Sequence, residues 1–390
     1  MRSQVGTPRL LRTMNERLLL DRLREHGPAS RGELAKETGL SKPTVSAALN
    51  GLEEAGLVVM VGNVGGRPGP TTAIYDMNAH AGHVAGVDIG RDWIRVAIAD
   101  LRGELIARQD ARNTARSAAD LVRRVRRLAD KAAAEAGLEW SAVTHAVVGS
   151  PGVLNEATGS LDFAQNLPGW GRPGLVDRLR ATLEIGLAIE NDVNLAAVGE
   201  LARGAGQGRS NFVFVSVGTG VGMGIVINGG LYTGYRGAAG EVSFVPTPDS
   251  VVSTEDSRQR GATEAVTGAA GVAAAAREAG MVVDSAREVF AAAADGDPTA
   301  VAIVTAEGRR IGSLVTAVTA ILDPEVVVLG GGVGRNLDML GAAITGRIEE
   351  LGPLRPEVVA STLGNSGVLQ GAIMRALDVA RDRLFDVRTG

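Results

Sequence analysis

Two glycine-bearing stretches and an amide–carboxylate pair hold much of the chemistry this chain could perform. The segment GVDIGRDWIRVAIAD, residues 86–100, sets Asp88 two positions before Gly90 at the end of an apolar run. Further on, VGTGVGMG contains Gly218, Thr219 and Gly220. Glycine has no Cβ, so backbone amides in such loops can approach a phosphate closely; a plain β-hairpin turn is the bland reading. ENDVN juxtaposes Asn191 and Asp192. Read alone, that pair is a turn or a helix cap; its amide offers a hydroxyl-rich ligand both a donor and an acceptor. A different chemistry stands near the N-terminus, where Lys42, Thr44, Ser46 and Asn50 are spaced along one predicted helix. Polar and cationic groups on an exposed helix can contact phosphates and base edges. His80 and His83 are too few ligands for a metal centre.

The elements that must position these groups can be read around them. NERLLLDRLREHGPASRGELAKETGLSKPTVSAALNGLEEAGLV predicts three short helices. Leu18, Leu19 and Leu23 recur at helical spacing in the first, which Gly27-Pro28 stops. Ser30-x-x-Glu33 is a capping box for the second, and Gly39 ends it. Ser41 caps the third, with Pro43 tolerated in its first turn. Val45, Ala48, Leu49 and Leu52 form its apolar face, leaving Lys42, Thr44, Ser46 and Asn50 largely elsewhere. The tight joint between helices two and three is a helix-turn-helix signature. GLVVMVGNVGGRPGPTTAIYDM then reads as strand, loop, strand, a wing with Arg67 in its tip for the minor groove. A three-helix packing domain with a solvated face is the alternative.

Charge separates this head from the rest. Residues 1–75 hold ten Lys+Arg and seven Asp+Glu, +3, and the remaining 315 hold 30 and 37, −7. A basic head on an acidic body suits a polyanion-binding head. The 390 residues suffice for two or three domains; 45% are hydrophobic and 22% charged. There is no cysteine, which excludes disulfides and cysteine-zinc sites and fits a cytoplasmic protein. No apolar run reaches the ~18–20 residues of a membrane span, and no signal-peptide core is expected.

The body repeats itself. HVAGVDIGRDWIRVAIADLRGELI is strand, turn, strand, turn, strand, and NFVFVSVGTGVGMGIVINGGLY has the same rhythm. Helical segments follow each. Two such α/β halves facing a cleft predict the actin-like (ribonuclease H-like) ATPase fold. The expected division is 1–75 for the winged helix, 76–84 for a linker, 85–190 for the first lobe and 191–366 for the second. A closing helix at 367–386 would complete the first lobe.

Taken in order, ENDVNLAAVGE, VSVGTGVGMGIVINGGLYTGYRGAAGE, LDPEVVVLGGGV, GSPGVLN and QNLPGW resemble the ROK family (repressor, open reading frame, kinase), and specifically its regulators with an N-terminal winged helix. In the kinases of that family the aspartate of the Glu-Asn-Asp motif takes the proton from the attacking sugar hydroxyl. The resemblance gives that place to Asp192, and gives Asn166, Asn191, Glu241 and Glu264 to sugar contact. Asp88, Gly90, Gly218, Thr219 and Gly220 match its phosphate loops.

The departures matter as much. The kinases carry Asp-x-Gly-Gly-Thr-Lys or close variants; here Arg91, Asp92 and Trp93 follow Gly90. At ~4 Å and an effective dielectric of ~20, Asp92 beside a phosphate oxygen costs on the order of 4 kcal/mol. At the zinc places Phe244 stands for histidine, and Glu255, Ser257 and Ala262 for cysteines. The resemblance therefore implies a repressor of carbohydrate-related genes whose phosphate loops are vestigial, with no catalytic residue, no family-type zinc, and neither ATP nor magnesium at work. It implies a homodimer or homotetramer on an inverted-repeat operator, with a sugar or sugar derivative as effector and no membrane partner. The alternatives are an active ATP-dependent sugar kinase with a DNA-binding head, and a regulator whose body only dimerises.

Overall fold

The computed structural model describes residues 8–64, 72–155, 158–162, 167, 169–246 and 260–389. The head begins with α1 (Pro8–His26), α2 (Arg31–Thr38) and α3 (Lys42–Glu54). Its boundaries follow from side chains that satisfy helix-end amides. Ser30 Oγ accepts from Glu33 N–H at 3.2 Å while the Glu33 carboxylate accepts from Ser30 N–H at 2.8 Å. Gly39 ends α2 in the left-handed region, and Ser41 Oγ accepts from Thr44 N–H to open α3. Val45, Ala48, Leu49 and Leu52 are buried, as their spacing requires. The first helix is not short: it runs 19 residues. Within it Leu19 and Leu23, one turn apart, enter the core, while Leu18 lies about 100° round the axis and is exposed.

A three-stranded sheet completes the head: β1 (Ala29–Ser30), β3 (Thr72–Met77) and β2 (Val58–Val64), in that order. β2 and β3 are the expected wing strands; its tip, Arg67 included, lies outside the described residues. The expected linker is mostly structure. Asp76 and Met77 end β3, and His83 and Val84 begin β4 (His83–Ile89). Between them Asn78 caps one 3₁₀ turn, and its amide donates to Gly56 O at 2.9 Å.

The predicted duplication is a topological fact. β4, β5 (Trp93–Asp100) and β6 (Leu105–Arg112) are antiparallel neighbours, extended on the β4 side by parallel β7 (Val143–Ser150) and β10 (Gly186–Asn191), while β8 (Val153–Asn155) and β9 (Ser160–Asp162) form a separate antiparallel pair. In the second lobe β11 (Phe212–Val217), β12 (Val221–Ile227) and β13 (Gly230–Tyr232) repeat this. Parallel β14 (Val326–Gly330) and β15 (Val358–Ala360) extend the β11 side. α4 (Ala118–Glu135) and α5 (Leu175–Leu183) cover one face of the first sheet, and Pro298–Leu322 belongs to the core of the second.

Two helices meet where the lobes join: α6 (Asp192–Arg203) and the C-terminal helix Gly367–Thr389. They approach backbone to backbone. A Cβ on Gly371 would overlap Leu195 O, and one on Gly199 would overlap Gly367 O. The far end of the C-terminal helix reaches the head. Phe385 is 3% exposed, beneath the Arg17 guanidinium at 5.4 Å, and Arg17 pairs with Asp382. Arg388 donates to Ala55 O and Ala81 O, one carbonyl from the head and one from the 3₁₀ turn. The head core and this helix thus form one apolar cluster.

Phe385→Ala should remove about 3–5 kcal/mol of stability, the usual cost of truncating a buried phenylalanine. Urea unfolding of the full chain measures it; a loss below about 1 kcal/mol would show that the helix end is not seated.

Candidate ligand cleft and nucleic-acid interface

The carboxyl ends of the parallel strands in both lobes face a cleft of about 420 Å³. This is where ligands bind in open α/β sheets. Its lining brings together Gly90, Asn191, Asp192, Gly218, Thr219, Gly220, Glu241 and Glu264 from widely separated segments. Asn166 lies outside the described residues. Asp88 is absent from the lining, for a reason given below.

Asn191 ends β10 and caps α6. Its Oδ1 accepts from Val193 N–H and Asn194 N–H at 3.0 Å, and its amide donates to Gly152 O at 3.2 Å. The cap reading is therefore what the structure shows, and capping fixes the amide where the cleft begins. Asp192, first residue of α6, is half-buried and opens to the cleft. Burial, then the neighbouring Asp88, pushes its carboxyl up to about 7. Glu241 is raised as well, by burial first and by Glu264 second. Glu264 also braces the glycine loop, where its Oε2 accepts from Val221 N–H at 3.0 Å. The turn at Gly218 is held from the other side too, where Gly218 O accepts from Ala269 N–H at 2.8 Å. Glu307, wholly buried, steadies the adjoining turn by accepting from Gly268 N–H at 3.0 Å.

The first hairpin departs further from a phosphate loop than its turn residues alone suggest. Asp88 sits directly across from Arg95 in the β4–β5 register, and the guanidinium donates to Asp88 Oδ2 at 2.6 Å. Both side chains are nearly enclosed, 7% and 13% exposed. Arg95 also lies 3.5 Å from Asp110. Trp93 is held over the same edge between two cations, Arg112 at 4.4 Å and Arg95 at 5.7 Å from its ring. Gly90 N–H donates to Trp93 O, and Gly90 O accepts from Asn113. A carboxylate that could face magnesium or phosphate is thus closed off by the protein's own cation.

Phe244 and Ala262, at two of the zinc places, have no ligating atom; Glu255 and Ser257 lie outside the described residues. Among the described residues no group of three or more His, Cys, Asp or Glu side chains could hold a metal ion.

On the head, α3 presents Lys42 and Asn50 to solvent, with Ser46 half-buried. Ser41 and Thr44 hydroxyls bond each other at 2.7 Å, so both serve the cap first. Asn50 Oδ1 accepts from Arg31 at 3.1 Å, which adds Arg31 to this face. Arg31 also stacks on Tyr75 at 5.0 Å.

The family model for ROK matches residues 84–379, across both lobes. The chain belongs to the ROK family. A MarR family model matches residues 12–67, the head of this ROK chain, and together they are the domain arrangement of a ROK transcriptional regulator. A glucokinase of Halalkalibacterium halodurans is 29% identical over 73% of the ROK chain and 92% of its own length. A xylose repressor of Bacillus subtilis is 25% identical, over 60% of this chain and 61% of that protein. Among solved structures, a ROK family transcriptional regulator homologous to the E. coli MLC protein covers 97% of the ROK chain and 99% of its own. Its TM-score is 0.77 and its identity 22%. A Streptomyces griseus ROK glucokinase solved with glucose and AMPPNP covers 76% of this chain and 100% of its own, at TM-score 0.66 and 25% identity.

Reading the motifs alone missed Arg95. Pairing Ile89 with Ile94 across the turn puts residue 95 opposite 88, so a charge-complementary cross-strand pair was available as a signal.

The raised carboxyl of Asp192 makes a signed prediction. Below about pH 3 it is protonated in both folded and unfolded states, since its ordinary value is 3.8. As pH rises towards 7 the unfolded chain ionises first, so this residue's share of stability is lost across that window. Asp192→Asn removes the loss. Its melting temperature should match wild type near pH 3 and exceed it by a growing margin up to about pH 7.5. A margin that does not change with pH would show that Asp192 ionises freely.

Proposed function

We propose that this ROK chain is a sequence-specific, DNA-binding repressor of carbohydrate-related genes, whose body senses a sugar or sugar derivative without phosphorylating it. The carrying observation is the pairing of a closed phosphate hairpin with an intact hydroxyl-binding end. Arg95 is bonded to Asp88, while Asn191, Asp192, Glu241 and Glu264 still converge on one cleft. The xylose repressors among its relatives support the reading.

Asn191, Asp192 and Glu241 hydrogen-bond the hydroxyls of the effector in this reading, with Asn166 as a further contact. Lys42 and Arg31 contact phosphate, Arg67 enters the minor groove from the wing tip, and Asn50 reads a base edge. The vestigial loops bind no ATP or magnesium, and no zinc shapes the pocket. Effector closing the cleft shifts α6, and with it the C-terminal helix on which the head is seated. That shift matters only if the effector favours one lobe arrangement over the other. Two heads in a homodimer or homotetramer meet an inverted repeat with half-site centres a whole number of ~10–10.5 bp turns apart.

An active sugar kinase is the second reading. Asp192 favours it, because a carboxyl near neutrality suits a general base, and so do the glucokinase relatives. Incubation with ATP, magnesium and a hexose panel separates the two: the repressor reading expects no turnover that Asp192→Asn abolishes.

Fluorescence anisotropy on the operator tests the rest. Lys42→Ala should weaken binding to all sequences and flatten its salt dependence by about one unit of slope. Asp192→Ala should leave ligand-free operator affinity unchanged but weaken the effector response by about one to two decades, since an unsatisfied buried polar partner costs roughly 1–3 kcal/mol. Wild-type responses from both Asp192→Ala and Glu241→Ala would remove the cleft as sensor.

A further inference from the structure

A second recess of about 390 Å³ lies outside the cleft, walled by the start of α4, the start of α5 and the turn Gly169–Gly174. Three arginines line it: Arg116, Arg172 and Arg178. No carboxylate does among the described residues, and residues 163–168, which lead into the turn, contain no acidic residue. The two nearest first-turn acids are turned to other partners. Asp120 bonds Arg124 at 2.9 Å and Asp177 lies 3.8 Å from Arg180. The remaining walls are small, with Ala118, Ala119, Gly169 and Gly174 leaving room between the guanidinium groups.

We propose that this recess is a second ligand site, for a small phosphorylated compound carrying at least two negative charges. Three guanidinium groups around one cavity without a countercharge repel each other, and a compact polyanion removes that repulsion. Arginine suits such a ligand because its planar fork meets phosphate oxygens in pairs. The volume fits a compact metabolite and excludes a folded partner. The site also touches the cleft's own support. Trp170, between Gly169 and Arg172, is fully buried, and its Nε1–H donates to Ser150 Oγ at 2.6 Å. Pro151 and Gly152, which follow Ser150, line the cleft. A phosphate held by Arg172 therefore steadies the turn that anchors one wall of the sugar end.

Isothermal titration of the full chain with sodium pyrophosphate, without magnesium and at fixed ionic strength, tests this. Three proteins are compared: wild type, Arg172→Ala/Arg178→Ala, and Arg91→Ala, which removes the exposed cation of the cleft's hairpin and leaves the buried Asp88–Arg95 pair intact. Wild type should bind one pyrophosphate per chain. The first variant should bind at least about tenfold more weakly with its melting temperature nearly unchanged, since both arginines are exposed. The second variant should bind like wild type. Loss in the second variant alone would move the anion to the hairpin and overturn the proposal. Equal binding by all three would reduce it to diffuse surface charge, and no saturable binding by wild type would refute it outright. None of these outcomes bears on operator binding, so the repressor reading stands or falls separately.

Discussion

The fold turns on the place where α6 and the C-terminal helix touch without side chains between them. Gly199 and Gly371 let each backbone pass against the other's carbonyls. Any Cβ would push the helices apart, and cavities or overlaps in a close-packed interior are costly in either direction. This contact also sets the site. Asp192 is the first residue of α6, so its position in the cleft is fixed by a helix whose other end is pinned. Glu200, fully buried near that end, accepts from Ser361 Oγ, Leu363 N–H and Ala205 N–H, tying α6 to the segment leading into the C-terminal helix.

At the cleft, one set of residues carries opposite signs at opposite ends. The hairpin end has cations that belong to the protein, with Arg95 neutralising Asp88 and stacking on Trp93. The opposite end, around Asn191, gathers carboxylates that resist ionisation, first because they are buried and then because of a neighbouring carboxylate, Asp88 for Asp192 and Glu264 for Glu241. Hydroxyl groups relieve that crowding by donating to the carboxylates, whereas a further anion there would aggravate it.

Local chemistry was the legible part of the sequence. Ser30 with Glu33, and Ser41, announce helix starts by satisfying orphan amides, and Pro43 does so by carrying no N–H to satisfy. The repeated strand-turn rhythm announced two like sheets, because apolar runs broken by glycine turns are written residue by residue. The cleft set was readable through the resemblance, and Asn191, Asp192, Glu241 and Glu264 do line one cavity. What stayed hidden depends on register and distance along the chain. Arg95 acquires its meaning only once the hairpin is aligned. The head's dependence on Phe385 and Arg388 joins residues hundreds of positions apart, and no local pattern encodes such a pairing.

That last pairing bears on how the molecule is made. Arg17 and Asp382 are 365 positions apart, so a ribosome completes the winged helix long before its seat exists. During that interval the reading head is present but unmounted, free to fold and unable to take up its place against the body. A product truncated before the last turns of the C-terminal helix would keep a DNA-facing surface with nothing to orient it. Only a chain that includes the last turns of this helix can set the head in register with the lobes.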